Sequence, residues 1–147
     1  MRELKFRAWD KERKVWLDPA DFLVTSEGTV LLHDIEYGAK YGNLAGKWRE
    51  DEDDRIELVR FTGLHDKNGK EIYEGDVFPS KKGNWIVKFG DWLYWDGKKL
   101  VQMYGWYAEC VTVEGKSHAQ LPLYASQVEV IGNIYESPEL LTNLQTA

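Results

Sequence analysis

The residues best suited to bind a ligand are lysines and tryptophans that gather between residues 81 and 99. Ammonium groups attract phosphates, and indole rings can stack on unpaired nucleic-acid bases. The candidate binding surface is Lys81, Lys82, Trp85, Trp92, Trp95, Lys98 and Lys99. The same residue types also serve structure, because tryptophan fills cores and lysine protects strand edges. The exposure of the three tryptophans therefore decides between a binding surface and a structural role.

Residues that could act as nucleophiles or metal ligands are few. Two adjacent pairs, His33-Asp34 and His65-Asp66, have no second His or Cys at ligand spacing. Neighbouring side chains in a strand also point to opposite faces, so such pairs read as polar turn residues. Cys110 lies in a strand-like pattern and is predicted to be a small buried residue. We therefore predict no metal, no cofactor, no catalytic residue and no enzymatic activity.

An enzymatic alternative would depend on carboxylates near the middle of the chain. Asp66, Glu74 and Asp76 are the candidates. They could perform acid–base chemistry if they converged in a cleft with perturbed pKa values. Carboxylates spread over separate turns would remove this case.

Composition limits the class of protein. The 147 residues suit one domain, with 19 basic against 25 acidic side chains, a net charge of −6 and seven tryptophans. The acidic balance argues against coating of nucleic acid, although a local basic face stays open. One cysteine forms no internal disulfide, and no apolar run could span a membrane. We predict a cytoplasmic protein without a membrane partner.

Apolar residues alternate with polar ones along most of the chain, which predicts strands. Glycine-containing turns join these strands into hairpins at Gly28 and at Asp96-Gly97. Asn68-Gly69 predicts a type I′ turn, because both residues tolerate a positive φ. The pattern from residue 128 to residue 134 predicts a last strand.

The predicted fold is mainly β, with a bent antiparallel sheet or an SH3-like barrel. Ser137-Pro138 predicts the start of a short C-terminal helix. Five consecutive acidic residues, 50–54, cannot be buried together and predict an exposed loop over residues 43–54. We predict a single domain over 1–147. Within it, an N-terminal β lobe (1–48) and a β core (55–147), joined by this loop, is the division that the sequence allows.

Three segments together carry a family resemblance. They are KFRAWD at residues 5–10, FTGLHDKNGKEIYEGD at residues 61–76, and VIGNIYESPELL at residues 130–141. In this order they resemble the YopX family of bacteriophage and prophage proteins. The resemblance implies a small cytoplasmic protein encoded by a phage or prophage genome. It implies no activity and no site residues, and the stretch between residues 79 and 127 matches no motif.

Two modes of binding stay open from the sequence. The leading hypothesis is a non-enzymatic accessory protein that binds another protein or associates with itself, since exposed aromatic residues favour interfaces. The alternative is a single-stranded nucleic-acid-binding protein that uses the Lys/Trp stretch from residue 81 to residue 99.

Overall fold

The computed structural model describes residues 4–33, 48–51 and 54–142. The chain divides into two compact units. One comprises Phe6–Val59, and the other comprises Met1–Lys5 together with Arg60–Ala147. The division of the chain at the acidic loop, into 1–48 and 55–147, stays a prediction.

The described residues form a mainly β protein, as predicted from the alternating pattern. The strands are β1 (Phe6–Asp10), β2 (Val15–Trp16), β3 (Phe22–Val24), β4 (Val30–His33), β5 (Trp48–Glu50), β6 (Ile56–His65), β7 (Glu71–Tyr73), β8 (Asp76–Pro79), β9 (Asn84–Trp95), β10 (Leu100–Thr112), β11 (Gly115–Gln120) and β12 (Gly132–Asn133). Two four-residue helices are α1 (Leu121–Tyr124), which follows β11, and α2 (Glu139–Thr142), which comes after β12. The predicted C-terminal helix is α2.

The unit formed by Phe6–Val59 is built from small antiparallel pairs. β1 pairs with β2, and β3, β4 and β5 form a three-stranded sheet in that order. The hairpin predicted at Gly28 is therefore confirmed. Its core contains Ala8, Phe22, Leu32 and Ile56, all of them buried.

The predicted acidic loop, residues 43–54, lies largely outside the described residues. Where the structure describes it, the prediction of a loop is wrong over Trp48–Glu50, which form β5 and pair with β4. Strand β5 is exposed throughout, so a carboxylate can join it without burial. Asp51 follows, and its carboxylate accepts hydrogen bonds from the backbone N–H groups of Arg55 and Ile56.

The second unit contains a five-stranded antiparallel sheet in the order β11-β10-β9-β8-β12. The sheet curls into a half-barrel, which confirms the predicted bent antiparallel sheet. One face of it packs on the hydrophobic core. The buried core residues are Ile72, Phe78, Val87, Ala108, Leu121, Ala125 and Val130.

The turn at residues 66–70 is present, but its predicted type is wrong. A type I′ turn needs a positive φ at both central residues, and here only Gly69 has one, at +80°. The carboxylate of Asp66 organises the turn instead, because it accepts hydrogen bonds from the N–H groups of Asn68 and Lys70. The Asp66 side chain thus fixes the shape of the turn, which the prediction had attributed to a positive φ at Asn68.

The predicted last strand is also corrected. Only Gly132 and Asn133 are in a strand, and residues 128–131 are extended without a regular ladder. The N–H of Val130 donates to the carboxylate of Asp66 rather than to a neighbouring strand. A buried carboxylate therefore takes the place of a strand partner at Val130, whereas the N–H of Ile131 donates to the carbonyl of Val77 on β8.

The longest hairpin is formed by β9 and β10, joined at the predicted Asp96-Gly97 turn. Its register is regular from the Trp95–Leu100 pair down to the Trp85–Cys110 pair. Gly90 and Gly105 face each other across it, with φ values of +136° and +137° that other residues rarely adopt. The hairpin therefore has a glycine pair at its middle, and we call the part beyond it, residues 91–104, the distal arm.

Candidate functional site

The structure places the seven candidate binding residues in two groups at opposite ends of β9. Lys81 and Lys82 precede the strand, whereas Lys98 and Lys99 follow it. Twelve strand residues span roughly 35 Å when extended, and less when the sheet curls. The lysines therefore do not form one basic surface.

The three candidate tryptophans have different environments. Trp85 is half-buried beside the core, where its Nε1–H donates to Ser80 Oγ at 2.8 Å. Trp92 is only 5% exposed and stacks on Tyr107, with ring centroids 5.6 Å apart. Trp95 is 59% exposed. Of the three rings, only that of Trp95 has its faces widely open to a ligand.

Trp95 belongs to an apolar surface on one side of the distal arm. In an antiparallel hairpin, directly opposed residues share a face, and so do residues two apart in a strand. By this register Leu93, Trp95, Leu100 and Tyr104 lie on the same side of the arm. They are 50%, 59%, 61% and 72% exposed, respectively. We call these four side chains the apolar arm face.

The two edges of the arm also lack strand partners within the described part of the chain. β11 pairs with β10 only over Tyr107–Thr112, and β8 pairs with β9 only as far as Ile86. The arm is therefore a two-stranded ribbon, an arrangement that is marginally stable in isolation. Its exposed backbone groups and its apolar face are both features that a binding partner could cover.

Aromatic packing supports the opposite side of the arm. Trp92 contacts Tyr94 edge-on and stacks on Tyr107 at the base of the arm. His118 on β11 lies beside both Trp92 and Tyr107. These contacts fix the arm to the sheet where the glycine pair allows it to bend.

A buried carboxylate lies next to this aromatic group. Glu109 accepts a hydrogen bond from Lys88 Nζ at 2.9 Å, and its other oxygen lies 3.0 Å from His118 Nε2. Burial opposes ionisation, but the hydrogen bonds from Lys88 and His118 outweigh it and hold the pKa of Glu109 below its ordinary value. Both carboxylate oxygens are thus engaged, which suits an ion-paired support for the arm.

The carboxylates of the enzymatic alternative each have separate structural partners. Asp66 organises its turn and binds Val130, and Asp76 accepts a hydrogen bond from the N–H of Tyr73. Glu74 pairs with Arg60 at 3.4 Å. Across residues 4–33, 48–51 and 54–142, no three His, Cys, Asp or Glu side chains are arranged to hold a metal ion.

Two histidines and the cysteine considered as possible metal ligands or nucleophiles have packing roles instead. His65 packs edge-on against Phe61. His33 packs against Trp48, and its sequence neighbour Asp34 lies outside the described residues. Cys110 is buried as predicted, and burial raises the pKa of its thiol.

Lys81 and Lys82 line an open cavity of about 480 Å³ at the other end of the hairpin. The third lysine there is Lys116, from the start of β11. Sequence reasoning missed this residue because it lies more than thirty positions from Lys81 and Lys82 and outside the Lys/Trp stretch. It also missed the apolar arm face, although the register of the Asp96-Gly97 hairpin could have placed these four side chains together.

The fold and these surfaces define a class: a curled-sheet β protein with a projecting two-stranded arm, an apolar arm face and a basic cavity. The sequence profile described as YopX protein matches residues 5–142, and this chain belongs to that family. No curated protein matches it. The crystal structure of protein EF1440 from Enterococcus faecalis is similar, with 24% identity, 96% coverage of this chain, 99% coverage of that chain and a TM-score of 0.43. Among the described residues, no helix has the length and apolar character needed to cross a membrane.

Proposed function

We propose that this chain is a non-enzymatic accessory protein of a phage or prophage, and that it acts by protein–protein contact through the apolar arm face. The observation that supports this proposal is the exposure of Leu93, Trp95, Leu100 and Tyr104 on one side of a two-stranded ribbon. Tryptophan and tyrosine often supply much of the binding energy at protein interfaces. YopX family membership is compatible with a phage-related protein.

The proposed occupant of the apolar arm face is a second copy of this chain. Large side chains bury about 150–250 Å² each, so four that are half or more exposed offer roughly 400–600 Å². A stable interface buries about 800 Å² per partner, including its polar rim. Two arms packed face to face would therefore supply an apolar centre of suitable size, with the rim coming from the surrounding polar residues.

The charges along the arm favour an antiparallel pairing of two copies. Lys98 and Lys99 are exposed at the tip, and Asp91 is exposed at the base. None of the three forms an ion pair with another residue that the structure describes. In a two-fold pairing each tip would lie beside the partner's base, so the lysines of one copy would face Asp91 of the other.

The test compares two leucines of similar exposure. Leu100, on the apolar arm face, is 61% exposed, and Leu123, on α1, is 63% exposed. We expect wild-type protein to sediment as a concentration-dependent dimer. Leu100→Ser should weaken the dimer at least about 100-fold, because each substitution counts twice in a two-fold interface and a buried leucine contributes about 1.5–3 kcal/mol. Leu123→Ser should leave the dimer intact.

Two results would contradict this proposal. One is a wild-type protein that remains monomeric at every concentration up to about 1 mM. A dissociation constant of that size corresponds to a binding free energy of only about 4 kcal/mol. The other is an equal loss of association in Leu100→Ser and Leu123→Ser, which would move the interface away from the arm.

The nucleic-acid alternative becomes an outcome of the same experiment. Of its two candidate tryptophans in the arm, it retains one that is widely exposed, Trp95, near Lys98 and Lys99. Saturable binding of an oligothymidylate that is lost in Trp95→Ser, together with a monomeric wild-type protein, would replace self-association by single-stranded nucleic-acid binding.

A further inference from the structure

A second surface, at the opposite end of the β9–β10 hairpin from the arm tip, combines three lysines around one cavity. Lys81 and Lys82 come from the turn before β9, and Lys116 comes from the start of β11, next to the turn that joins it to β10. The cavity, of about 480 Å³, has a volume in the range typical of small-molecule sites. The two turns lie at the same end of the sheet because β9, β10 and β11 are adjacent antiparallel strands.

The cavity is positively charged although the whole chain carries −6. All three lysines are exposed, and none forms an ion pair within the described residues. Glu114 is the one acidic residue in the lining, so three positive charges meet one negative charge. Lys116 is also near enough to Glu109 to lower the pKa of that carboxyl, but Glu109 is already bonded to Lys88 and His118. The cavity therefore keeps net positive charge for an external anion.

Local hydrogen bonds hold the two turns in shape. The Ser80 hydroxyl accepts from the N–H of Lys82 and from Trp85 Nε1, and donates to the carbonyl of Gly83. On the other turn, the Thr112 hydroxyl accepts from the N–H of Glu114 and donates to the carbonyl of Gly115. The backbone that carries the lysines is thus ordered before a ligand arrives, which lowers the entropic cost of binding.

The geometry points to a phosphate-binding site formed by Lys81, Lys82 and Lys116, with the Ser117 hydroxyl in its lining as an additional donor. Ammonium groups attract phosphate by charge, and a hydroxyl can donate to a phosphate oxygen. The ligand class is a molecule with one or more phosphate groups, either a phosphodiester of a nucleic acid or a free phosphorylated compound. This site is independent of the apolar arm face.

The experiment titrates the full-length, ¹⁵N-labelled protein with inorganic pyrophosphate and follows backbone amides by NMR. We expect saturable shifts at residues 80–83 and 112–117, without comparable shifts at residues 96–99. The test variant is Lys81→Glu with Lys82→Glu. The matched control is Lys14→Glu with Lys67→Glu, which makes the same change in net charge at two exposed positions outside both the cavity and the distal arm.

The test variant should lose at least about tenfold in affinity for pyrophosphate, and the control should stay within about twofold of wild type. An equal loss in both variants would show that only the overall charge attracts the anion, and would overturn the site. Absence of saturable shifts at low salt would overturn it as well. The test variant should retain the oligomeric state of the wild type, so failure here is distinguishable from failure of the arm proposal.

A parallel titration with a twelve-residue oligothymidylate distinguishes the two sources of phosphate. If the oligothymidylate binds more tightly than pyrophosphate, the site is assigned to single-stranded nucleic acid. The slope of log binding constant against log salt concentration should then be smaller by about 1.4 in the test variant, because two phosphate contacts are lost. Tighter binding of pyrophosphate would assign it to a phosphorylated small molecule. Both results support the phosphate site. Failure of both probes to bind would contradict it.

Discussion

At the scale of single residues, Asp66 shows how one buried carboxylate joins two distant segments. One of its oxygens accepts from the N–H groups of Asn68 and Lys70, and the other accepts from the N–H of Val130, sixty-four positions away. Burial opposes ionisation, but these three backbone donors outweigh it and lower the pKa of Asp66. The turn and the segment before β12 therefore depend on the same charged group.

We expect Asp66→Ala to destabilise the second unit by about 3 kcal/mol or more, because hydrogen bonds to charged groups contribute about 1.5–3 kcal/mol each. Asp66→Asn is the matched variant. Its amide oxygen keeps an acceptor for the turn, but its NH₂ group would face the N–H of Val130. We expect an intermediate loss, measured by urea unfolding followed with tryptophan fluorescence. A change below about 0.5 kcal/mol in Asp66→Ala would contradict this role, since such values are typical of inert surface positions.

At the scale of structural elements, the distal arm is the least supported part of the second unit. It has two strands, and no third strand pairs with it in the part of the chain that the structure describes. Its buried support comes from one side, where Trp92 packs on Tyr107 and Tyr94, whereas on the other side the largely exposed Tyr104 contacts Phe89 edge-on. The opposite side remains exposed. The arm is therefore held in place by aromatic packing while its apolar face stays available.

Trp92→Ala should loosen the arm without unfolding the sheet. Removing a large aromatic side chain from a packed site costs about 3–5 kcal/mol. We expect amide hydrogen exchange to accelerate strongly at residues 93–95 and 100–103, and little at residues 85–87. Trp95→Ala is the control, since this exposed ring lies on the other face and should leave exchange in the monomer unchanged. Equal acceleration in both variants would contradict the supporting role of Trp92.

The sequence was informative about local elements and less so about how they combine. Alternation in β9 and β10 and the Asp96-Gly97 turn predict the long hairpin, because these signals depend on neighbouring residues. The shortening of the last strand could not be predicted, because it depends on Asp66 reaching Val130 across the chain. The same carboxylate sets the type of the 66–70 turn through its bonds to Asn68 and Lys70, which the Asn-Gly signal does not indicate. The basic cavity could not be predicted either, because Lys116 lies near Lys81 and Lys82 only as a result of the strand order β11-β10-β9.

At the scale of the whole molecule, buried ionised carboxylates predict sensitivity to acid. Asp10 is buried in the first unit, and Asp66 and Glu109 are buried in the second. For each of them burial raises the pKa, but hydrogen bonds and nearby positive charges lower it by more. Their native states therefore bind fewer protons than the unfolded chain does at mildly acidic pH.

We expect the free energy of unfolding to be nearly constant from pH 7 to about pH 5. It should fall once the pH drops below about 4, the ordinary pKa range of unfolded Asp and Glu. The stabilisation from each depressed pKa is present above this range and is lost as the pH falls through the native pKa. Urea unfolding at a series of pH values measures this, and Asp66→Asn should show a shallower loss. Stability that rises on acidification would contradict the assignment.

The central claim is that two copies associate through their distal arms. The most direct measurement is a distance between spin labels attached at Lys98→Cys on the arm tip, since native Cys110 is buried and Lys99 keeps a positive charge there. Antiparallel pairing predicts a distance of roughly 20 Å between the two labels, about the length of the arm. The signal should vanish on dilution with excess unlabelled protein and in Leu100→Ser. Absence of any intermolecular distance in concentrated protein labelled at Lys98→Cys would contradict the claim.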